Sequence, residues 1–122
     1  MGVPRTLAAA GPLERVTHDR WIDVGPAEPS EDGEILHLRL RDADVSLARV
    51  GSAWLAFDDE CTHHGCPLHD GVLEGATIEC ECHGSIFNLC TGAVLRGPAT
   101  EPIRIHAAEI RDGRVVVRSD ER

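Results

Sequence analysis

Apolar and polar residues alternate along much of this chain. Over residues 35–40 the side chains take turns, with Leu36, Leu38 and Leu40 on one face, as a half-buried strand requires. Residues 45–50 and 53–57 read as the next pair, turned at Gly51-Ser52, a two-residue hairpin signal. Residues 21–24 form a first strand, followed by a Pro- and Gly-rich loop over 25–33. Residues 71–75 read as a turn-rich connector, and 76–79 as a short strand. Residues 86–89 and 93–95 form a hairpin around Thr91-Gly92. Residues 103–110 and 114–118 close on Asp112-Gly113, a strong turn dipeptide. No segment shows a helical period. Many short strands at regular turn spacing predict an all-β fold, an antiparallel β-sandwich or barrel. Residues 1–15, with Pro4, Gly11 and Pro12, read as a flexible leader; 16–118 make a single domain, and 119–122 a polar tail.

With 122 residues, the chain is one domain of common size. Its aromatic content is only 3%, so Val, Leu, Ile and Ala must fill most of the core around Trp21, Trp54, Phe57 and Phe87. A formal net charge of −9 disfavours nucleic acid and anionic membranes as partners, because like charge repels. Its distribution says more than its sum. Between Val50 and Leu95 there is no Lys or Arg, while Asp58, Asp59, Glu60, Asp70, Glu74, Glu79 and Glu81 all fall in that span. Such a face would steer a basic partner surface, with salt-sensitive association. The first twenty residues carry no apolar run, no twin Arg and no cleavage site behind one. No stretch approaches the roughly 20 apolar residues of a membrane span. The expected location is the cytoplasm, with no membrane partner.

The chemistry is concentrated between Cys61 and Phe87. The first box reads C-T-H-H-G-C-P-L and the second C-E-C-H-G-S-I-F. Cys61, His63, Cys80 and His83 stand out as metal ligands. Two thiolates and two imidazoles can hold a metal centre between two loops. Zinc accepts a Cys₂His₂ set readily, so a structural zinc module is one reading. The usual zinc-finger order groups Cys with Cys and His with His, whereas here the two types alternate.

The pair of boxes resembles the Rieske family, whose pattern is Cys-X-His, a spacer near sixteen residues, then Cys-X-X-His. Here sixteen residues separate His63 from Cys80. The resemblance extends to Gly65 and Gly84 at tight loop turns, to Thr91-Gly92, and to Gly97-Pro98-Ala99, similar to the Pro loop that covers the cluster. It runs from about Trp21 to Val117. It implies one [2Fe–2S] cluster per chain, with Cys61 and Cys80 on one iron and His63 and His83 on the other. It also implies the Rieske fold: a β-core carrying a small cluster-binding lobe, about 59–98, in which the two boxes are loops at one tip. Cys66 and Cys82 match positions that form a loop-tying disulfide in the Rieske proteins of respiratory cytochrome bc complexes. Many soluble Rieske ferredoxins lack that pair. The two are expected to lie adjacent, and their oxidation state stays open. Cys90 reads as a small apolar core residue. His64 and His69 read as exposed side chains, and His18, His37 and His106 receive no role.

Two ferric ions, two sulfides, two thiolates and two neutral imidazoles sum to zero charge. Imidazole in place of thiolate removes negative charge, so Rieske potentials span roughly −150 to +300 mV, above plant-type ferredoxins. Hydrogen bonds to sulfur tune within that window. Ser85 matches a serine that donates to a bridging sulfide in high-potential members. Phe87 stands where those members carry a hydrogen-bonding Tyr. With surrounding carboxylates also opposing reduction, an intermediate-to-low potential for the family is expected. The outer ring nitrogens of His63 and His83 should lie near solvent, so the potential should fall at alkaline pH.

Nothing supplies a catalytic constellation. By resemblance the chain is a Rieske-type ferredoxin, not itself an enzyme. It would be a monomeric one-electron carrier from an NAD(P)H-dependent flavin reductase (a ferredoxin reductase) to a terminal oxygenase. The alternative within redox chemistry is a small Rieske subunit bound permanently to a larger oxidase or nitrite-reductase-like enzyme.

Overall fold

The computed structural model describes residues 5–7, 15–16, 21–39, 44–63 and 65–118. Among the described residues there are twelve strands: β1 (Arg5–Leu7), β2 (Arg15–Val16), β3 (Ile22–Pro26), β4 (Ile35–Arg39), β5 (Asp44–Val50), β6 (Ala53–Asp58), β7 (Val72–Glu74), β8 (Thr77–Glu79), β9 (Ile86–Asn88), β10 (Val94–Arg96), β11 (Ile105–Arg111) and β12 (Arg114–Arg118). Among the described residues the helical content is one 3₁₀ turn, Leu68–Asp70. Eight strands form one sheet in the order β1-β4-β5-β6-β11-β12-β3-β2, and four form a second in the order β10-β9-β8-β7. Pairing is antiparallel except for β1, which runs parallel to β4. The all-β expectation holds.

Two differences from the sequence reading have simple causes. The stretch read as a connector contains β7, whose three residues pair with β8 around the Gly75-Ala76 turn. Three residues between glycines are too few for an alternation to show. The strand read as half-buried, β4, is buried on both faces from Ile35 to Leu38. Leu36 and Leu38 join Val45, Leu47, Trp54, Ala56, Val115 and Val117 in the core of the large sheet. Ile35 faces the other way, into a second core with Ala48, Phe57, Ile78, Phe87, Leu89, Cys61 and Cys80. The small sheet therefore packs on one face of the large one and gives β4 no free side. Leu40 lies outside the described residues; β1 falls in the stretch read as a leader, and β2 straddles its end.

The lobe is fixed to the large sheet at one very close approach. Gly92 sits at φ +85° in the β9–β10 turn, and a Cβ there would lie 2.2 Å from the carbonyl oxygen of Ile103. Ile103 N–H in turn donates to the Gly92 carbonyl at 3.0 Å. Gly92→Ala meets both a left-handed backbone and a backbone wall. It is expected to destabilise the fold by about 2 kcal/mol or more, read as a lowered urea midpoint with an unchanged slope.

Candidate metal centre

The two boxes fold into loops with the same hydrogen-bonding plan. In the first, Cys61 N–H donates to Cys66 O at 2.9 Å, and Gly65 N–H donates to Cys61 O at 2.8 Å. In the second, Cys80 N–H donates to Ser85 O at 2.7 Å, and Gly84 N–H donates to Cys80 O at 3.0 Å. Each loop thus closes a cysteine against the residues four and five places on. Gly65 and Gly84 take φ +77° and +83°, a region that suits glycine and lets each chain turn back so soon. The first loop leaves β6 and is shut at its base by a β-bridge between Glu60 and Pro67. The second leaves β8, one strand in from the edge of the small sheet.

The loops meet tip to tip. Cys66 and Cys82 form a disulfide across them, with Cα atoms 6.5 Å apart. Cys61 and Cys80 lie beneath, each 2% exposed and part of the apolar core between the sheets. His63 is half-buried and His83 exposed, their rings edge to face with centroids 5.1 Å apart. Nδ1 of His63 is shut off from solvent. Sulfur donors therefore line the inner side of the gap and imidazoles the outer side. Burial pushes the Cys80 thiol above its ordinary value, and the neighbouring Cys61 side chain adds to this; the N–H groups of Cys82 and His83 act in the opposite sense, favouring the thiolate. Those two amides suit a metal-bound thiolate.

Two buried sulfurs on one side of the gap and two imidazoles on the other offer unlike donors to its two sides, as a two-iron group with both thiolates on one iron and both imidazoles on the other requires.

Ser85 is fully buried, and its Oγ accepts the Ala99 N–H at 2.9 Å. The hydroxyl proton is thereby left to donate elsewhere, and the 97–99 loop is tied to the second box. Phe87 is fully buried in the core that also holds Cys61 and Cys80.

Several residues stand elsewhere than expected. Cys90 is exposed rather than in the core. It lies at the tip of the β9–β10 turn, where Asn88 Oδ1 accepts the Cys90 and Thr91 N–H groups and holds the tip in solvent. His69 is not an exposed side chain: its Nδ1 lies 2.5 Å from Asp59 Oδ2 and its ring stacks on His37. Asp59 is buried, so it adds nothing to an acidic surface. Glu60, Asp70, Glu74 and Glu81 are exposed, whereas Glu79 is half-buried and is met by Arg96 at 3.2 Å. His106 is buried against Asp58, 2.6 Å away. His18 and His64 lie outside the described residues. Sequence reasoning missed the grouping of His37, Asp59 and His69. The one available signal was a histidine inside an otherwise apolar strand.

Residues 20–110 match the family model of the Rieske [2Fe-2S] domain. Ferredoxin CarAc of Metapseudomonas resinovorans is 35% identical over 84% of this chain and 96% of its own length. The ferredoxin component of the naphthalene 1,2-dioxygenase system of Pseudomonas aeruginosa is 32% identical over 81% and 95%. In a solved complex of reduced oxygenase and oxidized ferredoxin in carbazole 1,9a-dioxygenase, a chain with 35% identity superposes with a TM-score of 0.78, covering 84% of this chain and 95% of that one.

Proposed function

This chain belongs to the Rieske [2Fe–2S] domain family, and from that premise we propose that it is the ferredoxin of an oxygenase system, a one-electron carrier rather than a catalytic subunit. The ferredoxin components named among its relatives support this reading, as does the superposition on a ferredoxin–oxygenase complex. The observation that carries the site is the convergence of two like loops on one gap, with cysteines inside and histidines outside. Cys61 and Cys80 would hold one iron, and His63 and His83 the other, with one cluster per chain. When bound, the cluster supplies reversible one-electron chemistry and nothing more.

The chain's own residues do the rest. The apolar core around Cys61 and Cys80 keeps water from the sulfur side. Exposed His83 gives the centre its edge toward a partner, so docking and electron exit belong at that edge. Exposed Glu60, Asp70, Glu74 and Glu81 give this end of the molecule an acidic face that favours basic partner faces. The donor would be a flavin-containing NAD(P)H-dependent reductase and the acceptor a terminal oxygenase. No helix among the described residues is long and apolar enough to cross a membrane, and the proposed setting is the cytoplasm, as a monomer. Among the described residues the exposed large hydrophobics, Val72, Leu95 and Ile110, lie on three different strands. That scatter favours a free carrier over a permanently bound subunit, whose interface would be broad and apolar.

Anaerobically purified chain should be brown, hold two iron atoms per chain, and give a cluster EPR signal after dithionite reduction. A colourless protein with one zinc would overturn the proposal. Ser85→Ala is expected to lower the midpoint potential relative to wild type, because it removes a buried hydroxyl with a proton to give to sulfide. Film voltammetry reads this directly, and an unchanged potential would remove Ser85 from the site.

A further inference from the structure

Beneath the first ligand loop lies a second group of titratable side chains, away from the gap. Asp59 is buried, and its carboxylate collects donors from three directions. Ser46 Oγ–H donates to Oδ1 at 2.8 Å from β5, and the His69 backbone N–H donates to the same oxygen at 2.8 Å. His69 Nδ1 meets Oδ2 at 2.5 Å, and His37 Nε2 on β4 lies 3.5 Å from it. With the ring proton assigned to Nδ1, His69 donates to this carboxylate oxygen, and the contact is a hydrogen bond. The rings of His37 and His69 stack with centroids 4.3 Å apart and planes 17° from parallel. Asp44 faces His37 Nε2 at 3.7 Å, and Asp70 faces His69 Nε2 at 3.6 Å.

These three residues look superficially like a metal site. The stack argues against it. An imidazole holds a metal along its in-plane lone pair, and the lone pairs of two stacked, nearly parallel rings run alongside one another rather than converge.

Their location points to a different role. Asp59 stands two residues before Cys61, and His69 three residues after Cys66. Leu68 N–H also donates to Asp59 O at 3.1 Å, and Asp59 N–H to Asp44 O at 3.0 Å. The group therefore spans the neck of the loop that carries Cys61 and His63, and pins that neck to β4 and β5. We propose that His69, backed by His37, is a positioning residue for the metal centre: by donating Nδ1–H to Asp59 it locks the neck of the first ligand loop. The inference rests on Cys61 and His63 being ligands, as proposed above. Without this donor the buried carboxylate is left under-satisfied, and the strain falls on the backbone next to Cys61.

The test uses the full chain with its cluster, as wild type, His69→Ala, His69→Asn and His69→Leu. Asparagine places an N–H donor near the Nδ1 position, whereas leucine offers similar volume and no donor. Each protein is read by EPR g-values of the reduced state, midpoint potential, and the rate of iron release to a chelator. His69→Ala and His69→Leu are expected to shift the g-values and to release iron faster by on the order of tenfold, the effect of one charge-assisted hydrogen bond. His69→Asn should return both toward wild type. The inference is overturned if alanine and leucine lower only the melting temperature and leave g-values and potential untouched, or if asparagine and leucine behave alike. Should His69→Ala hold no cluster, asparagine against leucine decides by the same criteria. A wild type without a mixed-ligand cluster signal would instead bring down the ligand assignment, and this inference with it.

Discussion

Replacing Cys80 by alanine is expected to leave a folded chain that holds no iron. Cys80 is 2% exposed and packs in the core between the sheets. No water or buffer ligand can reach that side to take the place of the thiolate. The substitution removes one heavy atom, the Sγ, so folding should survive it. His83 is the informative contrast, because it is exposed. His83→Ala should also lose the cluster on purification, but added imidazole has a path to the vacated position and should restore part of the iron. Iron content and the EPR of reduced samples, with and without imidazole, check both halves. Full iron in Cys80→Ala, or equal rescue of both variants, would contradict the inside–outside arrangement of donors.

Loss of the Cys66–Cys82 link is the second large effect. The bridge closes a separation of 16 residues. Chain-entropy reasoning assigns a loop of that size about 3 kcal/mol at room temperature. A bound cluster would itself join the two loops, so the difference should be fullest in the iron-free chain. Denaturant titration of iron-free wild type against Cys66→Ser/Cys82→Ser measures it. Because Cys82 is exposed, a soluble phosphine reductant should lower wild type to the level of the double variant and leave the variant unmoved. Equal midpoints for all samples would mean that the loops are held by their own hydrogen bonds and by β7–β9 alone. In a reducing cytoplasm such a bond persists only where it is shielded or slow to exchange.

The sequence was most informative where chemistry imposes fixed spacing. Two boxes sixteen residues apart announce the proposed ligand set, and Asp112-Gly113 announces its turn, since both residues adopt positive φ there. The strand alternation was legible because each core face takes every second residue. What stayed hidden depends on distance along the chain. Nothing local says that both faces of β4 are covered, because the residues that meet its second face, Leu68 and His69 among them, follow β6 and the first box in the chain. Cys90 misled for the opposite reason: its side chain prefers the interior, but the Asn88 side chain dictates a turn whose tip must face water. His69 misled because composition near a metal motif suggests surface, and its partners are His37 on β4 and Asp59, two residues before the first box. The matched hydrogen-bonding of the two loops was half visible, in Gly65 and Gly84, and complete only in the backbone.

That matched pair has a consequence for how the protein acquires its metal. Each loop supplies one sulfur and one nitrogen, but the proposed assignment gives both sulfurs to one iron and both nitrogens to the other. Each iron is thus anchored once to either loop, and neither loop alone offers any iron more than a single bond. A half-loaded chain has no comfortable resting state, so filling and emptying should be all-or-none.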